Sequence, residues 1–266
     1  MIGTVVFVGA GPGAADLITL RGARWLARAD VVLHDALTDP ALREFAPGAR
    51  WIDVGKRGYA DSTGQDAINA LMVRHARTSA VVVRLKGGDP SLFGRLEEEL
   101  MALAEAGVPC EVVPGVTAAI AAAAATQRPL TRRGSGRSVS LTTAMTAPAL
   151  HAAGPAGDAR RSADTEVFYM AGKRLGALSR RLAAAGWPGD TPACVVSRAG
   201  WPDMLASEHT AASLASASVL HAGRPMVVTV GAGARRVIGA SSAAARGAEE
   251  AASAAAPARS RLASNA

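Results

Sequence analysis

Several residue types that mark particular classes of protein are scarce in this sequence of 266 residues. It contains two cysteines, Cys110 and Cys194, which excludes a disulfide framework and a four-cysteine zinc site. Its five histidines are scattered without the spacing that binds a metal from one helix face, so no metal is expected. Aromatic residues make up only 4%, which argues against a single-stranded nucleic-acid binder built on stacking platforms.

Long apolar runs are missing as well. No stretch of roughly 18 apolar residues occurs, so no membrane span is expected. The first residues, MIGTVVFVGAGPG, lack the basic start and apolar core of a secretion signal, and we therefore expect a cytoplasmic protein. The net charge of +7 is partly peripheral, because five arginines and only two glutamates follow Gly233. The ordinary charge of the remainder predicts no nucleic-acid partner.

The chain does contain enough hydrophobic residues, 49%, to bury a sizeable core. Its first half alternates short β-branched runs with segments of helical spacing. This alternation predicts a mostly parallel sheet with helices on its faces. We expect strands at 5–8, 31–33, 51–54, 81–85 and 110–113, and helices at 15–29, 41–46, 65–77, 96–106 and 117–126.

A polar segment rich in arginine and glycine, 131–138, separates this pattern from a second one. The second half predicts strands at 138–142, 166–170, 193–197 and 226–230, helices at 175–185 and 211–217, and a strand or turn at 205–210. The composition therefore indicates an N-terminal α/β domain (1–131), a linker (132–138) and a C-terminal α/β domain (139–234). The Ala/Ser/Arg-rich residues 235–266 have too few large apolar side chains to fold, and we predict a disordered tail.

Two glycine-rich segments follow predicted strands. Residues 9–14, GAGPGA, fit the loose dinucleotide fingerprint, with Asp35 after the next strand, which raises the alternative of a nicotinamide-dependent oxidoreductase. A plain glycine turn is the other interpretation, and Pro12 offers no N–H to a phosphate. The second segment, KGGDP at 86–90, lacks the ending of a Walker loop. Its two glycines would let a ligand approach the carboxyl end of a buried strand.

These segments, taken in order, resemble the tetrapyrrole C-methyltransferases, especially the branch that acts on uroporphyrinogen III. The resemblance covers about 3–233 and is carried by residues 8–13, 16–20, 35–37, 54–57, 84–95, 113–117 and 169–170. It implies a fold of two α/β domains, with mostly parallel or mixed sheets and the ligand cleft between them. It also implies S-adenosyl-methionine (SAM) as methyl donor and conversion of uroporphyrinogen III to precorrin-2 through precorrin-1, for sirohaem or cobalamin, in a homodimer.

The resemblance assigns site residues by position. The expected proton acceptor and donor are Asp35 and Lys56, and the expected SAM contacts are Pro12, Gly87, Gly88, Asp89, Leu92, Thr117, Ala118, Met170 and Ala199. Arginines bind carboxylates bidentately, so the many carboxylates of the substrate would suit Arg57, Arg84 and Arg95. A structural salt bridge is an equal alternative for each of these three arginines.

The chain departs from the family pattern at several positions, mostly in its second half. His34 precedes Asp35 where tyrosine is usual, Arg132 replaces a histidine, TTAMT at 142–146 replaces Thr-Gly-His, and SRAGW at 197–201 replaces Glu-Asn-Gly/Ala-Thr. These changes leave two further alternatives open: a methylase of a later precorrin, and a SAM- or tetrapyrrole-binding protein without turnover.

Overall fold

Five strands from the first half of the chain form one parallel sheet. They are β1 (Thr4–Gly9), β2 (Val31–His34), β3 (Arg50–Asp53), β4 (Val81–Lys86) and β5 (Cys110–Val113), arranged in the order β3-β2-β4-β1-β5. All four pairings are parallel, as the βα alternation predicts. The structure, a computed structural model, describes residues 2–55, 64–145 and 160–237.

Helices cover both faces of this sheet, because the central strands are apolar on both sides. On β1, Val5 and Phe7 pack in a cluster with side chains of α2 (Gln65–Ala76) and α3 (Leu96–Glu105). Val6 and Val8 point to the opposite face, where α1 (Leu20–Leu26) contributes Leu26. The carboxyl ends of β1 and β4 are therefore held rigidly beside each other.

The second sheet is mixed. Its strands are β6 (Val139–Thr143), β7 (Thr165–Tyr169), β8 (Pro192–Ser197), β9 (Leu205–Thr210) and β10 (Met226–Gly231), in the order β6-β7-β10-β8-β9. Only β6 and β7 pair in parallel. The helix α5 (Leu175–Ala184) packs on one face, and α4 (Ala118–Ala125), from the first half, packs on the other. The predicted α/β class with parallel and mixed sheets is confirmed.

Local structure differs from the predicted elements at three helices. The expected helix 41–46 is a 3₁₀ helix, Pro40–Phe45. The expected helix 15–29 is a 3₁₀ turn, Ala15–Leu17, followed by α1, because Thr19 is extended and its hydroxyl accepts the Gly22 N–H at 3.1 Å as an N-cap. The expected helix 211–217 is a 3₁₀ turn, Leu214–Ser218. The undecided segment 205–210 is a strand, β9, since it pairs with β8 along its whole length.

The segment 131–138 contains a tight turn in which Arg132 pairs with Gly136. Arg132 also donates hydrogen bonds to the carbonyls of Ala232 and Arg235. The described part of the chain thus reaches Val237, three residues into the predicted tail, and residues 238–266 lie outside it. Across the described ranges, no helix is long and apolar enough to cross a membrane.

Candidate functional site

A cleft of about 330 Å³ lies where the carboxyl ends of β1 and β4 face the second sheet. In open α/β sheets, ligands bind outside the carboxyl ends of the strands. One wall follows β1, β2 and β4, and the other follows β7, β8 and the start of β10. The cleft is lined mostly by apolar atoms, with a few polar side chains: Asp35, Lys86, Asp89, Thr117, Tyr169 and Arg198.

The structure brings ten of the fourteen sequence-predicted site residues to this cleft, and neither Arg84 nor Arg95 lines it. Asp35 lines it, as do the nine residues predicted to contact SAM: Pro12, Gly87, Gly88, Asp89, Leu92, Thr117, Ala118, Met170 and Ala199. They come from segments up to 187 positions apart in sequence, Pro12 and Ala199 being the extremes. Lys56 and Arg57 lie outside the described residues. Their roles, and those of the cleft residues, stay predictions.

The two glycine-rich segments join at the floor of the cleft. Gly88 donates its N–H to the Gly11 carbonyl at 2.7 Å, and Gly11 donates back at 3.3 Å. Gly88 has φ +69°, and a Cβ built on it would come no closer than 3.9 Å to another atom, from Thr117. The missing side chain therefore leaves open space at the cleft floor, where a ligand can approach the backbone.

The geometry of the first glycine loop does not fit a dinucleotide cradle. A phosphate cradle needs the loop to open directly into a helix N-terminus. Here Gly9–Ala14 leads into the 3₁₀ turn, and α1 begins only at Leu20, capped by Thr19. This removes the structural basis of the nicotinamide alternative.

Asp89 is fixed by backbone donors. One carboxylate oxygen, Oδ1, accepts the N–H of Ser91 at 2.8 Å, and the other, Oδ2, accepts the N–H of Gly115 at 2.8 Å. Asp89 thus ties the loop after β4 to the loop after β5. Its side chain places a negative charge in the cleft wall and shapes that wall as well.

Strained backbone concentrates in the same cleft. Phe93, Met170 and Arg198 all line it, and all have left-handed φ values of +52° to +56°. Residues other than glycine rarely adopt this backbone conformation, and such strain is found at functional sites. Phe93 and Arg198 were not among the predicted site residues, because nothing in the local sequence signals a left-handed residue.

Tyr169 was not predicted as a site residue either, although it directly precedes Met170, which was. Its hydroxyl lies 2.7 Å from the Thr117 hydroxyl and accepts the Ala119 N–H at 3.3 Å, which joins the second sheet to the start of α4. Its ring is tilted against Phe93, with the centroids 5.0 Å apart. Burial raises the pKa of Tyr169, so the phenol is neutral at physiological pH.

A chain of buried charges leads from the cleft into the core. Arg84 and Lys86 alternate with apolar residues on β4 and face α3, where Glu99 is fully buried. The Arg84 guanidinium donates to Glu99 at 2.9 Å and to Asp35 Oδ1 at 2.6 Å, while Lys86 bonds the other oxygen of Glu99. The two alternatives for Arg84 were a clamp for a substrate carboxylate and a structural salt bridge, and the structure contains the salt bridge.

Burial and these ion pairs shift the pKa values of the two cations, Arg84 and Lys86. Burial opposes the charge on Arg84, but Asp35 and Glu99 together raise its pKa. Burial and the nearby positive charge of Arg84 lower the pKa of Lys86. Lys86, which lines the cleft, was not singled out from the sequence. Arg95, by contrast, is half-exposed and bonds Glu98 at 2.7 Å.

Among residues 2–55, 64–145 and 160–237, no group of three or more His, Cys, Asp or Glu side chains is placed to hold a metal ion.

Comparisons with known proteins agree with this architecture. Residues 4–215 match the family described as Tetrapyrrole (Corrin/Porphyrin) Methylases. A uroporphyrinogen-III C-methyltransferase from Pseudomonas aeruginosa is 47% identical over 199 residues, which cover 75% of this chain and 80% of that protein. A sirohaem synthase from Neisseria meningitidis is 42% identical over 235 residues, or 86% of this chain, but the match spans only 48% of that longer protein.

Solved structures give the same result. A uroporphyrin-III C-methyltransferase from Thermus thermophilus, complexed with S-adenyl homocysteine, has a TM-score of 0.73 and 35% identity, covering 86% of this chain and 97% of its own. A cobalt precorrin-4 methyltransferase has a TM-score of 0.75 at 29% identity, covering 88% and 96%. The family match spans well over half of the sequence and the Pseudomonas relative shares 47% identity, so this chain belongs to the tetrapyrrole (corrin/porphyrin) methylases.

Proposed function

We propose that this chain is a SAM-dependent methyltransferase that converts uroporphyrinogen III to precorrin-2 through precorrin-1. The observation that carries the proposal is the convergence of ten predicted site residues, distant in sequence, on one cleft. The 47% identity to a uroporphyrinogen-III C-methyltransferase favours this substrate over later precorrins. The product would serve sirohaem or cobalamin synthesis.

The cleft suits a methyl donor of the size and charge of SAM. Its volume of about 330 Å³ is at the lower end of the range for ligands of drug size. The open floor at Gly87 and Gly88 allows close backbone contact, and Asp89 offers negative charge to a cation. When bound, SAM supplies a methyl group on a positively charged sulfur, already activated for transfer.

The protein's main contribution would be alignment. A rigid cleft that holds donor and acceptor in line removes much of the entropic barrier to transfer. Here the walls are fixed by the glycine pairing, by Asp89 and by the bond between Tyr169 and Thr117. The first two contacts join loops of the first sheet to one another, and the third joins the second sheet to the first half of the chain.

Transfer of the methyl group as CH3⁺ leaves a positive charge on the ring system, which a proton lost from another position of the macrocycle neutralises, and we propose that Asp35 accepts this proton. Its carboxylate is one-third exposed, lines the cleft, and is oriented through Oδ1 by Arg84. The resemblance assigns proton donation to Lys56, which lies outside the described residues. General acid–base transfer of this kind typically contributes a factor of about 10²–10⁴ in rate.

A cleft of this volume cannot also enclose a tetrapyrrole, so we propose that the macrocycle binds at its mouth. Exposed apolar side chains there, Leu37, Phe93 and Met170, would contact the ring system. Arg95 would be released from Glu98 to bind a substrate carboxylate, which costs little because the pair is half-exposed. Arg57 keeps the same proposed role.

The test uses the purified full chain with uroporphyrinogen III and SAM. We expect a methylated product with red fluorescence on oxidation, and binding of S-adenosyl-homocysteine by calorimetry. A parallel panel of precorrins separates the alternatives: preference for a later precorrin would reassign the substrate, and binding without transfer would indicate a binding protein. Absence of both product and binding would refute the proposal.

We further propose a homodimer in the cytoplasm, with no nucleic-acid or membrane partner. The homodimer is what the resemblance to the family implies. Light scattering should give twice the chain mass of 26.9 kDa. A monomer at micromolar concentration would contradict the dimer.

A further inference from the structure

The turn between β8 and β9 crosses the cleft and contacts the first glycine loop. Trp201 donates its indole N–H to the Pro12 carbonyl at 3.1 Å, although the two residues are 189 positions apart. The adjacent Gly200 carbonyl accepts the Ala14 N–H at 2.7 Å. Two hydrogen bonds therefore join the two halves of the cleft at its Pro12 end.

Steric contacts reinforce these bonds. A Cβ built on Gly13 would come within 2.5 Å of the Trp201 ring, so the indole occupies the space that a side chain would need. Gly200 has φ +83°, and a Cβ there would lie 3.4 Å from the Pro12 ring. The turn and the loop thus pack directly against each other, with Pro12 and Trp201 both in the cleft wall.

The turn itself is braced. Arg198, in the left-handed conformation, lies over the Trp201 ring at 4.3 Å and bonds Asp203 at 2.7 Å. Asp203 also pairs with Arg224 at 3.2 Å. The backbone closes the turn with the Trp201 N–H on the Arg198 carbonyl and the Met204 N–H on the Trp201 carbonyl, each at 3.0 Å. The indole is therefore presented by a rigid support.

We infer that Trp201 is a positioning residue for the methyl donor: it fixes the Pro12 loop in its ligand-ready conformation and so raises the affinity for SAM and S-adenosyl-homocysteine. The Pro12 carbonyl accepts the indole N–H of Trp201, so this hydrogen bond holds the carbonyl in one orientation. The indole uses one of the two lone pairs of the Pro12 carbonyl oxygen, so the oxygen keeps a second lone pair as an acceptor. A loop held in place before binding avoids the entropy cost of ordering on binding.

The inference rests on the proposed function, and the experiment separates the two. Trp201→Phe keeps the ring but removes the hydrogen bond. Trp25→Phe is a matched control, because Trp25 also donates an indole bond, to Glu111 at 3.2 Å, and also lies under an arginine, Arg28 at 4.4 Å, but is outside the cleft. Both variants should show similar thermal unfolding, which controls for folding.

Calorimetric titration with S-adenosyl-homocysteine should give a Kd roughly three- to tenfold higher for Trp201→Phe, the size expected for one lost neutral hydrogen bond. Trp25→Phe should bind like the unmodified chain. Unchanged affinity in Trp201→Phe, or an equal loss in Trp25→Phe, would overturn the inference alone. No binding by the unmodified chain would overturn the proposed function, and the inference with it.

Fluorescence gives a second measurement that does not depend on a fold-change in Kd. The other tryptophans, Trp25, Trp51 and Trp187, do not line the cleft. Binding of S-adenosyl-homocysteine should therefore change the emission of Trp201, and the change should vanish in Trp201→Phe but persist in Trp25→Phe. A ligand-induced signal that survives Trp201→Phe would place the ligand away from the indole and overturn the inference.

Discussion

Replacing Glu99 with glutamine tests the buried charge network most directly. The Glu99 carboxylate is fully buried and offsets two cations, Arg84 and Lys86, each only 3% exposed. Glutamine has the same shape but no charge. Removing one partner of a buried ion pair costs about 3–5 kcal/mol, because the remaining charge is left desolvated. Arg84 keeps its bond to Asp35, so we expect about 3 kcal/mol, at the lower end.

Urea-induced unfolding of the full chain, followed by circular dichroism, measures this loss of unfolding free energy. The neighbouring residue gives a matched control: Glu98 also pairs with an arginine, Arg95, but at the surface, where solvent screens the charges. Glu98→Gln should leave stability nearly unchanged. Adding Lys86→Met to Glu99→Gln removes one of the two buried cations that Glu99 pairs with, and should recover part of the lost free energy of unfolding.

The outcome that contradicts this reasoning is a Glu99→Gln variant within about 1 kcal/mol of the unmodified chain. A loss of that size is what an ordinary solvated hydrogen bond would give. Equal losses in Glu98→Gln and Glu99→Gln would also contradict it. If Glu99→Gln fails to fold, the double variant with Lys86→Met still tests the idea, since its folding is expected to be restored.

Three other predictions concern the site and the pH dependence of stability. Asp35→Asn should lower kcat by about 10²–10⁴ while S-adenosyl-homocysteine still binds in calorimetry; a variant with normal turnover would exclude Asp35 as proton acceptor. Asp89→Ala leaves the Ser91 and Gly115 N–H groups without their acceptor, so it should weaken S-adenosyl-homocysteine binding and lower the free energy of unfolding by about 1–3 kcal/mol. Asp89→Asn should keep more of the binding and more of the stability. Equal behaviour of the two variants would contradict this prediction. Burial, with smaller contributions from His209 and Arg224, lowers the pKa of His221 in the folded chain below 6.5. The unfolded chain therefore binds more protons than the folded chain between that lower pKa and 6.5. The free energy of unfolding should fall as the pH drops through this range, by up to about 1.4 kcal/mol per pH unit. His221→Asn should flatten this slope in urea titrations at pH 7.5 and 5.5, and an unchanged slope would exclude His221 as its source.

The sequence by itself determined the elements and the likeness to the family. Apolar runs rich in β-branched residues, such as Val5–Val8, predict strands buried on both faces, and their alternation with helical spacing predicts the parallel sheet of the first half. The glycines at 87 and 88 and the acid at 89 could be assigned to a ligand because a strand end, a flexible backbone and a charge coincide locally. All three signals lie within a few residues of one another.

Only the tertiary structure decided which side chains meet. From the sequence, a substrate clamp and a salt bridge are equal alternatives for Arg84. Its partner Glu99 lies on α3, fifteen residues later, and only the packing of α3 against β4 brings the two side chains together. The contact between Trp201 and Pro12 depends on how the second sheet sits against the first. The left-handed φ values at Phe93, Met170 and Arg198 likewise follow from packing and oppose local preference. Local sequence encodes propensity and pattern, whereas these contacts depend on distances across the folded chain.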